Sequence, residues 1–232
     1  MNEIDVIEQN IVEIDIDILK ILLKDRTTKK NIIWATDYYC GLYGTRYAPE
    51  CEMKVELIAG RSTDIIQPRV TKDKQEQVRR TRDKAEVFTP SWICNKQNNL
   101  VDNAWFGREN VFNIEEGDKW ITNKDNVVFP EGKTWKDYVS DVRLEITCGE
   151  APYLVSRYDT VTGNTIPLTD RIGLLDRKLR VINENATTEQ TWYRATLNAY
   201  RSIYGFEFQG DNLLIARENL LYTFVDYYTD RF

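Results

Sequence analysis

Residues 144–154 read Leu144-Glu145-Ile146-Thr147-Cys148-Gly149-Glu150-Ala151-Pro152-Tyr153-Leu154, an apolar run that halts abruptly at Thr147-Cys148-Gly149. A short apolar run stopped by a glycine predicts a strand opening into a turn, and Ile203 to Phe208 further on is expected to be a buried strand. The pattern recurs sixty residues on in Ile203-Tyr204-Gly205-Phe206-Glu207-Phe208-Gln209-Gly210-Asp211-Asn212-Leu213. Between the two, Trp192 to Ser202 has helical spacing through Trp192, Ala195, Leu197, Ala199 and Tyr200. After the second, Asn212 to Asp226 repeats it through Leu213, Leu214, Ala216, Leu220, Leu221 and Phe224. Strand, loop, helix, strand, helix is the order of a parallel α/β sheet.

Outward from this core the signals are weaker. Asn31 to Thr36 and Met53 to Ile58 are expected to be short strands, the second stopping at Ala59-Gly60-Arg61-Ser62. Asn113 to Asn126 is expected to be polar connection, as is the Gly-, Thr- and Pro-containing stretch Asp159 to Asp170. At the start, Ile4, Ile7, Ile11, Ile14, Ile18, Ile21 and Leu22 predict a helix over Asn2 to Asp25 with one buried stripe. Its acids (Glu3, Asp5, Glu8, Glu13, Asp15, Asp17) suit the positive end of a helix dipole, the alternative being an acidic face that mimics DNA.

Composition excludes whole classes of chemistry. The chain has 232 residues, a net charge of −6 and no histidine. Ser-His-Asp, Cys-His and His-ligated metal mechanisms are therefore unavailable to it. The four cysteines form no C-x-x-C pair, so reduced thiols in a cytoplasmic protein are expected. No apolar run approaches membrane-spanning length, so no membrane partner is expected. One segment is basic: Arg69 to Lys84 holds Arg69, Lys72, Lys74, Arg79, Arg80, Arg82 and Lys84 against Asp73, Glu76 and Asp83. That local +4 leaves −10 for the rest. The segment reads either as a solvated helix or linker, or as a strip contacting the phosphates of DNA.

A third segment, Ala85-Glu86-Val87-Phe88-Thr89-Pro90, joins the two strand ends in a recognisable order. Together the three resemble the amino-terminal part of the N6-adenine DNA methyltransferases of restriction-modification systems. The whole chain is similar to the small proteins labelled restriction endonuclease subunit M. The resemblance implies a partial Rossmann-like, S-adenosylmethionine-dependent methyltransferase sheet over residues 85–232. A mixed helical and strand region with a basic linker, residues 1–84, would precede it. It further implies a cofactor site lined by Glu86, Phe88, Thr89, Pro90, Glu145, Thr147, Gly149, Glu150, Glu207 and Phe208, with Glu207 on the ribose hydroxyls. Two departures stand out: Ile146 replaces the proline of the family's D-P-x-x-G-x-G loop, and Ala151 replaces its second glycine.

The family's D/N/S-P-P-Y/F/W motif, which holds the extruded adenine, has no counterpart here. There is no Pro-Pro, Asn-Pro or Asp-Pro pair, and no Pro-Cys of a cytosine-C5 enzyme. The chain alone is expected to be inactive. Since a complete sheet needs further strands, a second protein chain or a homodimer completing the sheet is expected. The alternative is a non-catalytic protein on a degenerate methyltransferase fold, binding DNA or another protein.

Overall fold

The chain is described here by a computed structural model covering residues 7–60 and 65–232. Among these the fold is mixed α/β. The amino-terminal region contributes α1 (Glu8–Leu23), α2 (Tyr38–Tyr43), α3 (Val55–Ile58) and α4 (Lys74–Lys84). Then follow α5 (Ser91–Phe106), β1 (Asn113–Glu116), β2 (Lys119–Thr122), α6 (Trp135–Ser140) and β3 (Arg143–Ile146). The chain closes with α7 (Leu174–Asn185), α8 (Glu189–Arg201), β4 (Ile203–Phe206) and α9 (Gly210–Arg231).

The second half follows the expected order, but Ile203–Phe208 is not the buried strand expected: nothing among the described residues covers the outer face of the pair, and Tyr204, Phe206 and Phe208 are exposed. Strands β3 and β4 pair in parallel, with Leu144 opposite Tyr204 and Ile146 opposite Phe206. Their entry is fixed by Lys178 of α7, which is fully buried. Its ammonium donates to the Asp141 carbonyl and, at 2.6 Å, to Ser202 Oγ. Burial, and then the nearby Arg143, pulls this lysine down to about 7. The Ser202 carbonyl accepts from Arg143 N at 2.9 Å. One side chain thus joins the α6–β3 and α8–β4 junctions.

Two apolar clusters share α9. Leu214 and Ile215 pack with Ile11, Leu19, Trp34, Met53 and Tyr158. Ala216 and Tyr227 pack with Leu175, Leu179, Ile182 and Trp192. Helix α9 thereby ties residues 7–60 to the rest of the chain.

Four local expectations are corrected. The first helix does not keep one buried stripe. Asp15 is extended (φ −163°, ψ 117°) and breaks the phase, so Ile11, Leu19 and Leu23 are buried while Ile14 and Ile21 are exposed. Ile4, Glu3 and Asp5 lie outside the described residues, as do Arg61 and Ser62. Asn31–Thr36 has Ile32, Trp34 and Thr36 inward, but it makes isolated bridges rather than a ladder and turns at Ala35 (φ +53°). Met53–Ile58 is mostly one helical turn, entered through the extended Lys54, and the turn buries Leu57 and Ile58. The stretch Asn113–Asn126 holds an antiparallel hairpin, β1 against β2, turning at Gly117 (φ +64°).

Among the described residues no helix is long and apolar enough to cross a membrane.

Candidate functional site

Because β3 and β4 are parallel neighbours, the loops leaving their carboxyl ends emerge side by side. Ligands bind in open α/β sheets at this kind of place. Cys148 N donates to the Phe206 carbonyl at 2.8 Å, extending the ladder one step into the loops. Beyond it, Gly149 N donates to Glu207 Oε2 at 2.8 Å, and Gln209 N donates to Oε1 at 2.9 Å. Gly149 and Glu207, both expected to line the cofactor site, therefore touch directly. Gly149 takes a left-handed backbone, φ +52°, that glycine adopts at least cost, and a Cβ there would rest against the Phe88 ring at 3.4 Å. Ala151 also lies at positive φ, +66°.

The Glu86–Thr89 segment closes the site from the third side. It leaves α4 through Ala85 in the left-handed region (φ +53°) and runs extended to Pro90, which caps α5. Glu86 Oε2 accepts from Arg80, from Gln209 Nε2 at 3.2 Å and from Asn212 Nδ2 at 3.1 Å. Phe88 is packed between the Gly149 loop and the Arg69 guanidinium, 5.2 Å from the ring centroid. The result is a cavity of about 330 Å³ between the two strand ends.

Of the ten expected cofactor residues, eight line this cavity: Glu86, Phe88, Thr89, Glu145, Thr147, Gly149, Glu207 and Phe208. Two do not. Pro90 is spent on the helix cap, and Glu150 is buried on the other side of its loop, accepting from Arg69 N at 2.6 Å and Tyr158 OH at 2.7 Å. Gln209, Asn212 and Tyr153 line the cavity too and carried no assignment, though all three stand inside the quoted segments. Ala35, on the wall from the amino-terminal region, had no signal in the sequence.

The lining is acidic, with Glu86, Glu145 and Glu207 against Lys84. Burial pushes the Glu145 carboxyl up to about 8, against the pull of the Tyr153 and Leu154 N–H groups and with Glu207 adding to the rise. Burial likewise raises the Cys148 thiol to about 12, which leaves it unreactive at neutral pH.

The basic strip is corrected in two of its members. Lys72 and Arg80 are buried and cannot reach DNA. Their cations face Asp211: Arg80 Nη1 lies 2.8 Å from Asp211 Oδ2 and Lys72 Nζ 3.4 Å from it. The helical period of α4 turns Arg80 inward, where fixed carboxylates compensate its charge. Outward, Arg79 pairs with Glu76 and covers the Tyr38 ring, Arg82 pairs with Asp83, and Lys84 pairs with Asp37. Lys74 is exposed and Arg69 half-buried against Phe88.

No family model, curated protein or solved structure matches the chain.

Proposed function

We propose that this cavity binds S-adenosylmethionine, in a protein related to the N6-adenine DNA methyltransferases of restriction-modification or phage-defence systems. The supporting observation is the meeting of Gly149 and Glu207 at adjacent parallel strand ends, with Glu86, Phe88 and Thr89 on the same cavity. On this reading β3 and β4 begin a Rossmann-like sheet.

The residues suit the group. A carboxylate has about four acceptor positions, and the two N–H groups on Glu207 leave room for both hydroxyls of a ribose. Phe208, which is exposed, offers a ring face to an adenine, and the buried Phe88 walls the cavity. Gly149 and Ala151, the positions of the family's two loop glycines, both take the left-handed backbone that glycine favours. Ala151 holds it at a cost of about 1 kcal/mol. When bound, S-adenosylmethionine supplies an activated methyl group on a sulfonium. This chain's part is to hold the nucleoside and keep water from it. With no D/N/S-P-P-Y run, the purified chain is expected to bind the cofactor and to methylate no DNA. DNA contact is proposed for Lys74, Arg79, Arg82 and Lys84, the outward members of the strip.

Titration calorimetry tests the reading. S-adenosylmethionine should bind the full chain, and Glu207→Ala should weaken it by at least about tenfold, the value of one charged hydrogen-bonding partner. Absence of binding to the unmodified protein would sink the proposal.

A second reading, a protein-binding role on the same scaffold, has its own support. The outer face of the parallel pair presents Leu144, Ile146, Tyr204 and Phe206, all at least half exposed. Parallel sheets are ordinarily covered on both faces. If a second copy covers this one, the protein sediments as a dimer at tens of micromolar and Phe206→Asp returns it to monomer. Monomeric behaviour of the unmodified chain would remove self-association.

A further inference from the structure

Helix α1 consists of two pieces, residues 8–14 and 16–23, with the extended Asp15 between them. The second piece is anchored by Leu19 and Leu23, both fully buried. Arg217 of α9 anchors it again, donating to the Leu22 and Lys24 carbonyls. The first piece has only two fully buried residues, Ile11 and Glu8, and one of them is an acid. Its Gln9 side chain also accepts from Gly60 N at 3.0 Å.

A second acid waits across this interface. Glu218, in the middle of α9, is fully buried, and neither of its carboxyl oxygens has a hydrogen-bond partner. The charged group that acts on it from α1 is Glu8, which is of the same sign. On α9 itself, Arg217 is turned to the α1 carbonyls, and Tyr222, one turn on, carries the Arg157 guanidinium over its ring. Arg157 in turn is held by Asp226 at 3.0 Å. The amino-terminal region packs on this part of α9 through Trp34, Met53, Leu57 and Ile58, none of which is charged. A carboxyl enclosed without a cation or an N–H is stable as the neutral acid. Burial first, and Glu8 second, accordingly push Glu218 well above the ordinary glutamate range.

We propose that docking of residues 8–14 on α9 is switched by the proton on Glu218, with Asp15 as the hinge. While the acid is neutral the piece stays docked. As pH rises the carboxyl O–H bond breaks, the electron pair stays on the oxygen and the proton passes to solvent. The resulting anion faces Glu8 in an apolar interface, and water reaches it only when residues 8–14 swing away. The docked value lies above the undocked one, so docking is strongest below the ordinary glutamate range. It weakens by up to about tenfold for each pH unit as pH climbs towards the docked value, and then levels. Residues 16–23 stay in place, because their anchors do not titrate in this range.

Hydrogen exchange of the full chain, read by mass spectrometry from about pH 5 to about pH 9 and expressed as protection relative to each amide's intrinsic rate, tests the switch. Protection of residues 8–14 should fall at least about tenfold across the series, while that of residues 16–23 stays level. Glu218→Gln, which copies the shape of the neutral acid, should keep the high protection of residues 8–14 throughout. Glu8→Gln, which removes the neighbouring charge, should lessen the fall without abolishing it. Protection of residues 8–14 that does not change with pH in the unmodified chain overturns the proposal, whatever the variants do. The same fall in Glu218→Gln overturns it too, as does a fall that Glu8→Gln alone abolishes.

Discussion

Asp211→Ala is expected to lower the unfolding free energy by about 3–5 kcal/mol, the cost of removing one partner from a buried ion pair. Asp211 is fully buried at the start of α9 and accepts from Tyr39 OH at 2.8 Å, from Arg80 and from Lys72. Two cations, Arg80 and Lys72, are balanced there by two anions, Asp211 and Glu86. Deleting Asp211 leaves a surplus positive charge inside the protein. Burial alone would raise the Asp211 carboxyl, but Lys72 and Arg80 outweigh it and hold the group well below the ordinary aspartate range.

The sign of the pH effect follows. A lowered native value means that Asp211 contributes its full share above the ordinary aspartate range and loses it as pH falls through the native value. Urea unfolding at pH 7 should show the loss, and an acid series should show a flatter decline in the variant than in the unmodified chain. Lys74→Ala, an exposed neighbour in the same basic segment, should stay within about 0.5 kcal/mol. A loss below about 1 kcal/mol for Asp211→Ala would mean that the network is far wetter than its burial implies.

The network also shows where the sequence could and could not be read. Strands β3 and β4, helices α8 and α9 and most of the cavity lining were legible, because apolar runs ending at glycine leave a local mark. The charge network left none. Arg69 to Lys84 has the composition of a solvated strip, and only the partners supplied by Glu86 and Asp211 turn Lys72 and Arg80 inward. Helices α5 and α7 escaped for a related reason. The buried face of α5 is polar, with Asn95, Asn98, Asn99 and Asp102 inward and Leu100 exposed. Arg177 of α7 meets that face, donating to Asp102 at 2.6 Å, Asn95 at 2.9 Å and Asn99 at 2.7 Å. An apolar stripe is the signal by which helices are found, and here a hydrogen-bonded polar seam takes its place.

Gly210→Ala sets two general rules against each other and shows which controls the site. In a helix alanine is favoured over glycine by about 1 kcal/mol, so propensity alone forecasts a more stable protein. Packing forecasts the opposite. Gly210 opens α9 with its N–H on the Trp34 carbonyl at 3.0 Å. A Cβ there would lie 2.0 Å from the Ile33 carbonyl oxygen and 2.9 Å from Met53 Sδ. A backbone oxygen cannot rotate aside as a side chain can, so either the Asn31–Thr36 segment or the start of α9 must move by an ångström or more. The expected loss is about 3 kcal/mol, the upper part of the usual range for overpacking. Gly41→Ala is the control: it lies in α2 with nothing within 4 Å of its would-be Cβ, and should leave stability unchanged or slightly higher. The displacement reaches the cavity, because Gln209 and Asn212 flank Gly210 and both hold Glu86. Calorimetry with S-adenosylmethionine, at a temperature where the variant remains folded, should therefore show weakened binding alongside the lost stability. A Gly210→Ala protein as stable as the unmodified chain would mean that the contact between α9 and the amino-terminal region is loose, and that the wall it gives the cavity is not fixed.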